Sequence, residues 1–160
     1  WDIIETSGHC RGHLCLYDAQ DQILIAGDQV LPTISPKVSV LPSRPDANPL
    51  RDFLESLARL ERCAPGTLVL PSHGRPFRWL HRLVDVLRSH HLQQLESLRK
   101  ACRDPQAAYG LLPVMFGRPL RGYHRFLALG ETVAHLNYLW HAGDLKRTVD
   151  DAGRIHFVAG

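Results

Sequence analysis

The chain opens on short apolar runs set between tight polar turns, and its texture changes after residue 78. Asp2-Ile3-Ile4-Glu5-Thr6 reads as a strand, residues 13–17 as a second, and Asp18 to Gln22 as the polar turn after it. Ile23 to Ala26 is apolar throughout, the pattern of a strand buried on both faces. Asn48-Pro49 offers a helix N-cap and a first-turn proline, and Leu50, Phe53, Leu54, Leu57 and Leu60 follow at helical spacing. Pro65-Gly66 stops that helix, and residues 67–70 give another buried strand. Strand, helix and strand form a βαβ unit. The strands that end before Asp28 and before His73 should therefore run parallel, with their C-terminal ends on one sheet edge.

From Trp79 onward the period is helical. Leu80, Leu83, Val84, Leu87, His91, Leu95 and Leu98 mark one face of a long helix. Asp104-Pro105 reads as the cap of a new helix, and Pro113 starts a short one through Phe116. Residues 126–140 give a further helix stopped by Gly143. Residues 145–149 and 154–158 read as a β-hairpin. The expected domains are residues 1–78 and residues 79–160. Between Leu31 and Asp46, four prolines exclude a central helix or strand. A loop of this kind either walls a substrate cleft or merely connects two elements.

Composition narrows the picture only a little. A chain of 160 residues supports one domain, or one small domain with part of another. No apolar run approaches the ~18 residues of a membrane span. A formal charge of +3 is too small to argue for nucleic acid by itself. Cys10, Cys15, Cys63 and Cys102 form no CxxC pair, which suits reduced thiols in the cytoplasm. The chain starts on Trp1, not Met, and enters directly on a strand, as a fragment would.

The candidate chemistry sits where the strands end. In Thr6-Ser7-Gly8-His9-Cys10-Arg11-Gly12-His13, glycines bracket a histidine and hold its imidazole in a tight loop. Asp28 follows Ile23-Leu24-Ile25-Ala26-Gly27, and His73 follows Leu68-Val69-Leu70-Pro71-Ser72. Imidazole and carboxylate suit zinc or a similar divalent ion, and three strand-end donors can converge across long sequence gaps.

Thr6-Ser7-Gly8-His9, Ala26-Gly27-Asp28 and Pro71-Ser72-His73-Gly74 resemble the third, fourth and fifth motifs of the metallo-β-lactamase-fold hydrolases. Asp28 to Pro32, Ile34-Ser35-Pro36 and Ala128 to Leu136 are similar to the β-lactamase-like 2 branch, which carries a C-terminal winged helix. The resemblance implies an α/β fold: the C-terminal half of an αββα sandwich, followed by a winged-helix-like α+β module. It also implies two zinc ions per complete domain. His9 would be the third histidine on the first ion. Asp28, the candidate catalytic residue, would bridge both ions, and His73 would bind the second. Such a pair activates a bridging water as hydroxide and stabilises the oxyanion and the leaving group.

The family's HxHxDH motif, source of the other four of seven ligands, is absent from these 160 residues. The isolated chain is therefore expected to bind zinc weakly and to be inactive. Cys10 replaces the family's usual small residue and reads as an apolar filler. His13 reads as a hydrogen-bonded structural residue. His81, His90, His91, His124 and His141 read as solvated or partly packed, and His135 as buried.

The implied substrate is a small ester, thioester or lactam-like molecule. One alternative is a metal-dependent ribonuclease. Another is a non-catalytic winged-helix module that binds DNA, although the expected recognition segment, residues 126–142, carries Glu131 and no Lys or Arg. Arg118, Arg121 and Arg125 just before it could touch phosphate. Self-association as a homodimer is the remaining partner expected.

Overall fold

The computed structural model describes Trp1–Gly160. The chain divides into two compact units, Trp1–Val38 with Arg51–His90, and Ser39–Leu50 with His91–Gly160.

The first unit is built on a four-stranded sheet in the order β1 (Asp2–Thr6), β2 (His13–Asp18), β3 (Ile23–Gly27), β4 (Leu68–Pro71). β1 and β2 pair antiparallel, as do β2 and β3. β3 and β4 pair parallel, as the βαβ reading requires. The crossover helix α1 runs over Pro49–Leu60, starting at the proline singled out in sequence. One face of the sheet buries Thr6, Cys15, Leu24, Ala26 and Val69, and Phe53, Leu57 and Leu60 of α1 are buried with them. Three polar ties fix the helix region to the strands. Ser56 Oγ accepts from the Ser7 amide at 2.8 Å, Arg59 donates to the Glu5 carbonyl at 2.9 Å, and the Ala64 amide donates to the Tyr17 hydroxyl at 3.0 Å.

The opposite face is also apolar. Ile3 pairs with Leu16, Leu16 with Ile25, and Ile25 with Leu70, one hydrophobic row across all four strands. Trp1 is 65% exposed, Ile3 64% and Leu14 53%, where an antiparallel sheet facing water ordinarily carries polar side chains.

The long helix α2 (Leu80–Ala101) belongs to the first unit as far as His90. The second unit continues it through a short 3₁₀ turn (Ala108–Leu111) into α3 (Leu112–Phe116) and α4 (Gly122–Ala142). It closes with the antiparallel hairpin of β5 (Leu145–Val149) and β6 (Ile155–Ala159). No helix starts at Asp104-Pro105. The Gln106 amide and carbonyl instead exchange hydrogen bonds with Phe157, at 2.9 and 2.8 Å, and extend the hairpin edge. Pairing with β6 thus satisfies backbone groups that a helix would have used. α4 begins at Gly122, earlier than its apolar spacing indicates, and ends at Gly143 as expected. Asn137 on α4 donates to the carbonyls of Pro45 and Ala47, at 2.8 and 2.9 Å, which ties the end of the proline-rich loop to this helix.

No helix is long and apolar enough to cross a membrane.

Candidate metal centre

Two adjacent parallel strands and one loop set the geometry. Gly27 at the end of β3 pairs with Pro71 at the end of β4, and the Ser72 amide donates to the Gly27 carbonyl at 3.0 Å. Asp28 and His73 thus leave the same sheet edge side by side. His9 reaches it from the loop between β1 and β2. That loop is pinned at three points. Gly8 lies against Phe53 of α1, the Ser7 amide donates to Ser56, and the buried Gln29 donates from Nε2 to the Ser7 carbonyl at 3.4 Å.

The structure brings all three sequence candidates together around the Asp28 carboxylate. His9 Nε2 stands 3.4 Å from Asp28 Oδ2, and His73 Nε2 stands 3.5 Å from Asp28 Oδ1. His9 Nδ1 lies 3.0 Å from the Lys37 carbonyl. A carbonyl only accepts, so Nδ1 donates to it and Nε2 is the ring nitrogen left facing the Asp28 carboxylate. A ring nitrogen and a carboxylate oxygen at this distance can share a cation, either a proton or a metal ion.

The spacing suits a metal. Tetrahedral ligands at ~2.0–2.2 Å from zinc stand about 3.3–3.6 Å apart. No three His, Cys, Asp or Glu side chains gather into a cage around one point. The arrangement is instead two donor pairs sharing one carboxylate, each pair oxygen plus nitrogen. Asp28 with His9, and Asp28 with His73, are the residues that would hold a metal ion at this edge.

His13 holds a structural place, as expected. Its Nδ1 lies 2.8 Å from Thr6 Oγ1, which in turn donates to the His13 carbonyl at 3.2 Å. Burial, and secondly His9, push its pKa down, with Asp28 acting the other way. Cys10 is exposed beside His9 and is therefore not the apolar filler its position suggested. His91 departs from expectation as well. It is fully buried in the second unit, with Nδ1 3.0 Å from Nε2 of the equally buried His135.

Sequence reasoning missed the supporting groups. The Lys37 carbonyl leaves no trace in residue identity. Ser72, whose hydroxyl donates to Asp28 Oδ1, was visible only as a small polar residue between a strand end and a histidine.

Residues 1–73 match the model for the metallo-beta-lactamase superfamily, and residues 95–160 match that for a metallo-beta-lactamase-like C-terminal domain. The chain is similar over 100% of its length to a beta-lactamase domain protein from Burkholderia ambifaria, with 47% identity and a TM-score of 0.97. A metallo-beta-lactamase family protein from Thermus thermophilus is similar over 99% of the chain, with 30% identity and a TM-score of 0.83. In both cases the chain spans 48% of the other protein. No curated protein matches. The chain belongs to the metallo-β-lactamase superfamily, whose members are in general metal-dependent hydrolases.

Proposed function

We propose that this chain forms one side of a dinuclear zinc hydrolase acting on a small ester, thioester or lactam-like substrate. The observation that carries the reading is Asp28 between two imidazoles, each carboxylate oxygen facing a different ring nitrogen. A bound zinc pair supplies Lewis acidity and an activated water. The chain's own residues do the positioning. Asp28 offers one oxygen to each side, the Lys37 carbonyl holds the His9 tautomer, and Gln29 with Ser56 fixes the loop that carries it.

The sheet supports a two-layer domain. Its apolar row, with Ile3 and Ile25 exposed and Leu16 and Leu70 half-buried, is what a second sheet would bury in an αββα sandwich. The small-substrate reading draws on the segment from Leu31 to Lys37. Its carbonyl at Lys37 touches His9, and it presents prolines and an Ile34 that is 57% exposed, without an acidic residue. Such a wall favours an apolar acyl or lactam group.

A second reading, a metal-dependent ribonuclease, rests on the second unit. Residues 105–130 contain no Asp or Glu, and Arg118 and Arg121 are exposed there with Tyr123 and Phe126, whose rings stack at 6.3 Å. Cations interleaved with aromatic rings suit single-stranded RNA. A DNA-reading module is less well supported, because α4 buries Ala128, Thr132, Ala134, His135, Leu136, Asn137 and Leu139.

The deciding experiment is hydrolysis by the zinc-loaded full-length protein, with thioesters, esters and a chromogenic lactam set against single-stranded RNA. Turnover of one of the small substrates, abolished by Asp28→Asn, is expected. RNA cleavage without small-molecule turnover would replace the leading reading with the second. Activity unaffected by Asp28→Asn would overturn both.

A further inference from the structure

The two oxygens of Asp28 are not equivalent. Oδ2 faces His9 Nε2, whereas Oδ1 faces His73 Nε2 and also accepts the hydroxyl proton of Ser72. Ser72 is itself fixed, because its amide donates to the Gly27 carbonyl across the β3–β4 pair. The Asp28 carboxylate is thus gripped at one oxygen by the chain that carries His73, and its neighbouring residue is gripped through the backbone.

A carboxylate on a short side chain turns freely about its last bond unless something holds it, since that torsion is broad. Turned by a quarter, Asp28 would offer neither oxygen squarely to its imidazole. A hydrogen bond to one oxygen fixes the plane of both. The hydroxyl uses one lone pair of Oδ1 and leaves the other for a cation on the His73 side. Partners of this kind, one step out from the metal, set ligand direction and commonly change metal affinity 10–100-fold.

We infer that Ser72 is a positioning residue that locks the Asp28 carboxylate in its bridging orientation, so that the His73-side metal position depends on the Ser72 hydroxyl. This rests on the two-ion reading given above. The Ser72 hydroxyl sits on Oδ1, the oxygen that faces His73, so the His73 side is the one that loses most when the carboxylate is released.

The test is a stepwise metal titration of the full-length apoprotein with Zn²⁺ against a chromophoric chelator, repeated with Co²⁺ so that its absorption spectrum reports coordination. Ser72→Ala should leave the first ion bound and weaken the second step about tenfold, with an altered Co²⁺ spectrum. Ser72→Thr, which keeps the hydroxyl, should restore both. Ser72 is exposed, so Ser72→Ala is expected to keep the wild-type thermal midpoint as apoprotein. Wild-type affinity in both steps for Ser72→Ala would overturn the inference and leave the two-ion site intact. An inert Thr variant, no better than Ala, would overturn it too. Failure of the wild-type protein to take a second ion, with Asp28→Asn also without effect, would instead overturn the two-ion reading itself.

Discussion

Gly8 lies directly on Phe53. A Cβ at Gly8 would stand 2.3 Å from the Phe53 Cβ and 2.6 Å from its Cα, and Gly8 holds φ +109°. The His9 loop is therefore seated on the backbone of α1, with no side chain that could yield.

Gly8→Ala should cost about 3 kcal/mol or more, the sum of a positive φ and an overlap with helix backbone. Gly12→Ala is the control. Gly12 has φ +64° but open space around it, and only about 1 kcal/mol is expected. Urea unfolding of both variants measures the difference, and equal costs would show that contact with α1 does not constrain the loop.

A second relationship lies inside the other unit. His135 Nδ1 lies 2.9 Å from the Glu131 carbonyl, so that nitrogen donates. In the neutral ring Nε2 then accepts, and His91 Nδ1 is the donor across the 3.0 Å contact. His135→Leu strips a buried donor of this acceptor and should cost about 1–3 kcal/mol. The double variant His91→Leu/His135→Leu should cost less than the sum of the two single changes, because both polar partners go together. A thermodynamic cycle from denaturant melts checks this, and strict additivity would contradict the paired arrangement.

The sequence carried much of this, unevenly. The βαβ unit was legible because Pro49 and Pro65-Gly66 bracket an apolar face of period 3.6, and the adjoining strands are apolar throughout. The convergence of His9, Asp28 and His73 was legible because parallel strand ends share an edge. Two things were hidden. Asp104-Pro105 looks like a helix start, but a long-range pairing with Phe157 overrides that local preference. His91 occupies an apolar helix face, and only a partner many residues away explains how its polar ring is buried.

The thiols should separate cleanly. Burial pushes Cys15, Cys63 and Cys102 up to about 11, whereas Cys10 is exposed. Reaction requires the thiolate and access to it. Under native conditions at pH 8, N-ethylmaleimide should modify Cys10 rapidly and the other three only after denaturation. Peptide mass spectrometry reads the sites, and fast native labelling of Cys15 or Cys63 would contradict the packed sheet face.

The C-terminal hairpin should be sensitive to acid through one residue. Asp150 accepts from the amides of Ala152 at 3.0 Å and Arg154 at 2.9 Å, from Arg154 Nε at 2.8 Å, and from His156 Nε2 at 3.1 Å. The Arg154 amide bond leads in holding its pKa far below the usual carboxylate value, with His156 and the Arg154 side chain adding to the effect. A carboxylate depressed in the folded state binds its proton more readily once unfolded. Its stabilising contribution is thus complete above the unfolded value of about 3.9 and lost as pH falls below it. Amide exchange at Arg154 should accelerate from about pH 4 downward once corrected for intrinsic rates. Asp150→Asn should remove that dependence and keep part of the turn, since its side-chain oxygen still accepts from the amides. Asp150→Ala should fray β5 and β6 at every pH. An unchanged acid profile in the Asn variant would assign the turn's pH response to another group.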